Sequence, residues 1–326
     1  MRNGKESGGV EWVRSFGRDD LARVYVLRLR PGEGGMVECV ESLNPGVPRS
    51  EKWILLVSTL FGCPVGCPMC DAGGVRYGGA LTAEEILEQV RFLVRRRFGG
   101  AVVPVRKFKI QFARMGEPAL NPAVLEVLDR LPGALDAPGL LPSLSTIAPA
   151  GAEPFFRRLL EIKERRYGNG RFQLQFSLHS TDPAARARLV PARCLDFAWM
   201  GRYGARFHGP GDQRVTLNFA AAEGVPVDPE RLLPFFDPRH FLVKLTPVNP
   251  TFRGRAAGMK SAIDPFRPGS ARGLVRRFED AGYEVILSIG EVEENRIGSN
   301  CGQYVTALGK KGELSGFYLR PGKNRV

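Results

Sequence analysis

A chain of 326 residues can bury one large core, and 43% hydrophobic with 25% charged residues is the balance of a soluble globular protein, which excludes a disordered or fibrous chain. The net charge of +13 favours a polyanionic partner, although the surplus is written mostly in arginine and no long single-sign block marks a nucleic-acid tail. Apolar runs such as Trp53–Val57 are too short to span a bilayer and Met1–Ser7 lacks an apolar secretory segment, so the expectation is a cytoplasmic monomer with no membrane partner.

The first predicted element is a β-hairpin: Arg23–Arg30 alternates, Pro31–Gly35 turns, and Met36–Val40 is apolar. It places residues 1–50 in an N-terminal β extension. Trp53–Ser58 reads as a short buried strand that feeds Phe61–Cys70, where cysteines stand at 63, 67 and 70. Three thiolates on one short loop can hold three irons of a [4Fe–4S] cluster. Four cysteines are the usual full set, so a set of three leaves one iron open. A zinc site wants a fourth Cys or His at similar spacing, and His179, His208 and His240 are distant and form no ligand-like pair. A disulfide framework does not suit a long chain without a secretory segment.

Past the loop, Thr82-Ala83-Glu84-Glu85 is a capping box, with Leu81 and Ile86 as its hydrophobic staple. Strand and helix patterns then alternate. The predicted strands are Lys107–Ala113, Leu140–Ile147, Arg171–Leu178, Arg214–Ala220, Phe241–Pro247 and Glu284–Ile289. The predicted helices lie near Pro122–Leu131, Glu153–Arg165, Pro183–Leu189, Pro229–Phe236 and Ala271–Ala281. Pro132–Pro142 and Thr251–Gly269 read as loops, the second a candidate lid. Alternating strands and helices predict an α/β fold, a partial (βα)6 barrel over residues 51–290, with residues 291–326 as a C-terminal segment. Chemistry in such a fold sits at the C-terminal strand ends. Those ends carry Met115-Gly116-Glu117-Pro118, Ser145-Thr146, Ser177-Leu178-His179 and Thr246-Pro247-Val248-Asn249-Pro250. A carboxylate, hydroxyls and an amide around a barrel mouth suit a zwitterionic, hydroxylated cofactor.

The C-x3-C-x2-C loop resembles the signature of the radical S-adenosylmethionine (SAM) superfamily. There SAM chelates the open iron and is cleaved reductively to a 5′-deoxyadenosyl radical. The fuller set of Ser58–Cys70, Leu81–Val90, Met115–Asn121, Ser145-Thr146, Ser177–His179, Leu189–Pro191, Thr246–Pro250 and Cys301-Gly302-Gln303 resembles the radical SAM adenine methyltransferases of the RlmN/Cfr type. The resemblance implies that Cys63, Cys67 and Cys70 hold the cluster. It implies that Gly116 and Glu117 meet the SAM amino group and that Ser145, Ser177 and Asn249 contact SAM's amino-acid and ribose portions. It also implies that Cys301 carries a methyl group to an sp2 carbon of an RNA adenine, with flavodoxin or ferredoxin as electron donor.

Three departures qualify the substrate. The family's second cysteine, which helps resolve the covalent adduct, corresponds to Leu56, leaving Cys39 and Cys194 as the other thiols. The N-terminal accessory domain of the family is expected to be missing, since only about 50 residues, near the lower limit for an independent domain, precede the cluster strand. Glu291-Val292-Glu293-Glu294-Asn295 is acidic where relatives are basic, which is unfavourable beside phosphates. The alternative reading is a radical SAM enzyme acting on a small molecule or peptide, with or without methyl transfer through Cys301.

Overall fold

The structure is a computed structural model that describes residues 4–5, 10–290, 292–299 and 304–305. Strands β1 (Gly4–Lys5), β2 (Glu11–Gly17), β3 (Ala22–Arg28), β4 (Met36–Ser42) and β5 (Lys52–Val57) pair antiparallel in succession. Two short strands, β6 (Leu60–Phe61) and β7 (Gly79–Ala80), pair with each other across the cysteine loop. The chain continues through α1 (Ala83–Phe98), β8 (Lys107–Phe112), α2 (Ala123–Ala134), β9 (Leu140–Thr146), α3 (Glu153–Arg166) and β10 (Gln173–Ser177). Then come α4 (Pro183–Leu189), α5 (Phe197–Phe207), β11 (Val215–Ala221), β12 (Phe241–Pro247), α6 (Phe252–Ala256), α7 (Arg272–Asp280), β13 (Val285–Leu287) and α8 (Val292–Ile297). All strands except β6 and β7 form one sheet in chain order, and β5 with β8 to β13 run parallel.

Alternation within each parallel strand sets the two faces of this sheet. Trp53, Leu55 and Val57 of β5, Phe108, Ile110 and Phe112 of β8, and Phe241, Val243 and Leu245 of β12 are fully buried in the main core. Trp53 stacks on Phe108 with centroids 5.2 Å apart. The intervening residues face a cavity of about 540 Å³ lined by every parallel strand, from Ile54 of β5 to Leu287 of β13. The fold is thus α/β with a large, mostly parallel sheet, one face of which bounds a polar cavity. No helix among the described residues is long and apolar enough to cross a membrane.

The capping box forms as expected. Glu85 N–H donates to Thr82 Oγ1 at 3.2 Å and Thr82 N–H donates to Glu85 Oε2 at 2.8 Å. The hairpin is β3–β4, and β2 adds a strand that the alternation rule misses, because a register shift between Trp12 and Arg14 breaks its period. The helix expected near Pro229–Phe236 is only a 3-10 turn, Pro229–Arg231. Pro234 lacks the N–H that a continuing helix needs. Helix α5 was not expected. The predicted loop after Thr251 begins instead with helix α6, and its docking bears on the site.

Candidate active site

The cysteine loop leaves β5 and is shaped by backbone. Gly62 and Gly66 both adopt φ of 74°. A Cβ at Gly62 would lie 2.8 Å from the Val75 carbonyl oxygen. Cys63 N–H donates to the Ala72 carbonyl at 3.1 Å and Cys70 N–H to the Cys67 carbonyl at 3.1 Å. Helix α6 then clamps the loop from outside. The buried Asp71 carboxylate accepts from Phe252 N–H at 3.1 Å and Arg253 N–H at 2.9 Å. Thr251 Oγ1 donates to the Met69 carbonyl at 3.0 Å, and Arg253 Nη2 donates to the Gly66 carbonyl at 2.9 Å.

Cys63, Cys67 and Cys70 line one wall of a cavity of about 240 Å³. Gly116, Glu117, Ser145, Ser177 and Asn249 line it too, so residues at the ends of four parallel strands meet the cysteine loop. Gly116 has φ of 104°, and a Cβ there would lie 2.6 Å from Leu60 Cγ. Glu117 is 5% exposed. Its carboxylate accepts from Thr146 Oγ1 at 2.5 Å, Ala119 N–H at 3.0 Å and Ile147 N–H at 2.9 Å. Burial pushes its pKa up to about 7, against the lowering effect of those hydrogen bonds. A buried carboxylate held by neutral donors is suited to a ligand ammonium.

Burial also pushes the Cys67 thiol up to about 12, with Cys63 and Glu117 adding to the shift, and raises Cys63. Such thiols are poor free nucleophiles and ionise when a metal supplies the charge. Among the described residues no three His, Cys, Asp or Glu side chains converge as on a single metal ion. A cluster puts each thiolate on a different iron and needs no such convergence. The donor set therefore fits a three-thiolate cluster with an amino-acid ligand beside it.

His179 also lines this cavity, at φ of 62°. Burial lowers its pKa to about 4, and Ala220 N–H donates to Nδ1 at 3.2 Å, so the neutral ring carries its proton on Nε2. Thr146 and His179 stand in strand-end stretches marked in the sequence, without these contacts, whereas Asn218 lies inside β11 and carries no such signal.

The larger interior cavity shares Ala113, Ser145, Asn218, Thr246, Pro247 and Asn249 with the cysteine cavity. Leu56 and Ser299 line it. Cys301 lies outside the described residues, but both flanks are anchored. Arg114 Nη1 donates to the Ser299 carbonyl at 2.8 Å and Nη2 to the Gly298 carbonyl at 3.0 Å. Arg114 pairs with the fully buried Glu38, whose Oε1 accepts Val305 N–H at 2.9 Å. Arg114→Ala would leave Glu38 buried without its cation, and is expected to cost about 3–5 kcal/mol in denaturant unfolding. A loss below about 1 kcal/mol would show that the pair does not anchor these flanks.

Neither spare thiol takes the place of Leu56. Cys39 is fully buried in the main core and lines neither cavity. Cys194 packs beside Cys63 and Cys67 around Val65, Ile147, Leu189 and Val190, and it does not line the interior cavity. Part of the acidic run is engaged internally: Glu293 pairs with Arg18 at 2.7 Å and Glu294 accepts from Ser42 Oγ at 2.9 Å.

No family model matches the chain. It is 30% identical to the probable dual-specificity RNA methyltransferase RlmN of Frankia casuarinae, over 96% of this chain and 72% of that protein. It is also 30% identical to the corresponding protein of Salinispora arenicola, over 91% of this chain and 75% of that one. In fold it resembles a radical SAM methyltransferase from Sphaerobacter thermophilus, with a TM-score of 0.69, 24% identity and coverage of 90% of this chain and 81% of the other. Streptococcus suis SuiB, solved bound to S-adenosylmethionine, shares the fold more distantly, at TM-score 0.51 and 13% identity over 74% of this chain and 51% of that one. With this site and these relatives, the chain belongs to the RlmN family of radical SAM methyltransferases, enzymes that work with a [4Fe–4S] cluster and SAM.

Proposed function

We propose that this enzyme methylates an sp2 carbon of an RNA adenine through a methyl group carried on Cys301. The observation that carries the reading is one cavity bringing three loop thiols to a buried carboxylate, opening into a second cavity walled by Ser299, two residues before Cys301. Cys63, Cys67 and Cys70 would hold the cluster, leaving its fourth iron for SAM. Glu117 would take the SAM ammonium, with Gly116 giving close backbone approach. Ser145, Ser177 and Asn249 would hold the carboxylate and ribose, and the Nε2–H of His179 would be a further donor. Bound together, the cluster and SAM supply a carbon radical after one-electron reduction of the sulfonium. The apolar patch behind Cys63 and Cys67 would keep water from that side.

The Cys301 thiolate would take the methyl from the sulfonium of one SAM, forming an S–CH3 bond as the methyl–sulfonium bond breaks and S-adenosylhomocysteine leaves. The carbon radical derived from a second SAM would take one hydrogen atom from that methyl, ending as 5′-deoxyadenosine, and the methylene radical left on Cys301 would bond to the adenine carbon. Leu56 supplies no thiol for resolving the resulting adduct. Leu56→Cys is therefore expected to speed product release, and an unchanged release rate would mean another group does this work. The charge of +13 supports RNA as partner, and the internal engagement of Glu293 and Glu294 lessens the repulsion expected from that run. A monomer in the cytoplasm, reduced by flavodoxin or ferredoxin, completes the reading.

The test is peptide mass spectrometry on anaerobically reconstituted enzyme after incubation with SAM alone, followed by nucleoside analysis of ribosomal RNA fragments incubated with it. Methyl on Cys301 and methyladenosine in the RNA are expected. An unmodified Cys301 with 5′-deoxyadenosine still released would overturn methyl transfer through this residue, and would move the search to hydrogen abstraction from a non-RNA substrate.

A further inference from the structure

One lysine lines the interior cavity, and two more share the sheet face that bounds it. On β5, Ile54 and Leu56 face it, so Lys52 is on the same face by alternation. On β8, Gln111 and Ala113 face it, which puts Lys109 on that face one step nearer the strand's start. Lys244 of β12 lines the cavity directly, beside Asn218 of β11 in register. Lys52 also stands directly across from the exposed Lys107 in the β5–β8 pair.

These ammonium groups have no acidic partner among the described residues. Among the described residues the one lysine in an ion pair is Lys163, with Asp212 on another part of the molecule. Glu294 lines the same cavity as an anion, where it accepts from Ser42 Oγ at 2.9 Å and, among the described residues, pairs with none of these lysines. Burial and mutual repulsion lower the pKa of Lys109 to about 7, with Lys244, Lys107 and Lys52 as the repelling charges, and lower that of Lys244 as well. Unpaired, mostly buried cations are costly, and several on one concave face are costlier still. An anion entering the cavity removes both penalties.

We propose that Lys244, Lys109 and Lys52 form a binding site for a phosphomonoester, with Gln111 and Gln175 as amide donors beside it. A dianion with three terminal oxygens matches several ammonium groups, whereas a carboxylate leaves most of their charge unmatched. The site opens toward the residues shared with the cysteine cavity, so the organic part of the ligand extends toward the reacting centre. The chemistry is that of a nucleotide's terminal phosphate, on a free mononucleotide or on an RNA end. This inference goes beyond the methyl-transfer reading, and its test needs neither cluster nor SAM turnover.

The experiment is calorimetric titration of the full chain with AMP, adenosine, and a short RNA bearing either a 5′-phosphate or a 5′-hydroxyl. AMP is expected to bind at least tenfold tighter than adenosine. Lys244→Gln and Lys109→Gln are each expected to weaken AMP about tenfold or more while leaving adenosine unchanged. Preference for AMP alone assigns a free nucleotide, and preference for phosphorylated over hydroxyl RNA assigns an RNA terminus. Equal binding of AMP and adenosine by the unaltered chain would overturn the site even if the variants fail to fold. So would AMP affinity that is indifferent to both substitutions in folded protein, which thermal unfolding verifies.

Discussion

A Cys301→Ala enzyme is expected to release 5′-deoxyadenosine from SAM and to transfer no methyl group. The proposed cluster ligands and SAM cavity belong to the β5 loop and the strand ends, none of which contains residue 301. On the proposed mechanism, removing the thiol takes away the methyl carrier and leaves the radical source. Methylation should fall by on the order of 10⁴- to 10⁶-fold, the scale seen when a covalent nucleophile is removed. Product quantification by mass spectrometry, with 5′-deoxyadenosine measured in the same samples, separates this outcome from cluster loss. Methyl transfer persisting within tenfold of the unaltered enzyme would mean that the carbon reaches its acceptor without residence on this cysteine. Loss of both products would instead implicate Cys301 in holding the cluster cavity together.

Much of the site was legible because its residues lie at strand ends, where period-2 strands meet turns. Glu117 stands out just past the end of β8 because a chain entering the interior seldom stops at a carboxylate without a partner for it. The capping box of α1 was readable for the same local reason. What was hidden depends on tertiary contact. Helix α5 contains Gly201 and Gly204, which lower helix propensity. Their use appears only in the fold, since a Cβ at Gly201 would sit 2.0 Å from the Phe235 carbonyl oxygen and one at Gly204 would sit 2.4 Å from the Phe241 ring. The placement of Cys194 beside Cys67 joins segments more than a hundred residues apart. Lys52, Lys109 and Lys244 are unremarked in sequence because alternation with polar residues equally describes a solvent-facing strand. Only the fold shows that this face of the sheet bounds a cavity, which Lys244 lines.

SAM affinity is expected to fall as pH drops below about 7, by up to tenfold per unit, and to be nearly flat above it. Burial holds the Glu117 carboxyl at about 7, so in the empty site it takes up a proton across the range just below neutrality. Only the carboxylate attracts the SAM ammonium, and binding below this pKa must therefore release a proton. The sign for stability is opposite. A carboxyl raised above its ordinary value of 4.5 favours the protonated folded chain, so the ligand-free protein loses stability as pH climbs from that value to about 7. SAM thus stabilises most where the empty site is least content. Glu117→Gln keeps the shape but removes the charge and one acceptor among the three donors of Thr146, Ala119 and Ile147. Loss of a charge-assisted hydrogen bond predicts about ten- to a hundredfold weaker SAM binding. It also predicts that the pH dependence disappears with the charge. Equilibrium dialysis of SAM against reconstituted enzyme from pH 6 to 8 reads both effects. An unaltered enzyme whose affinity does not change over that range would show that the ammonium is met by a group other than Glu117.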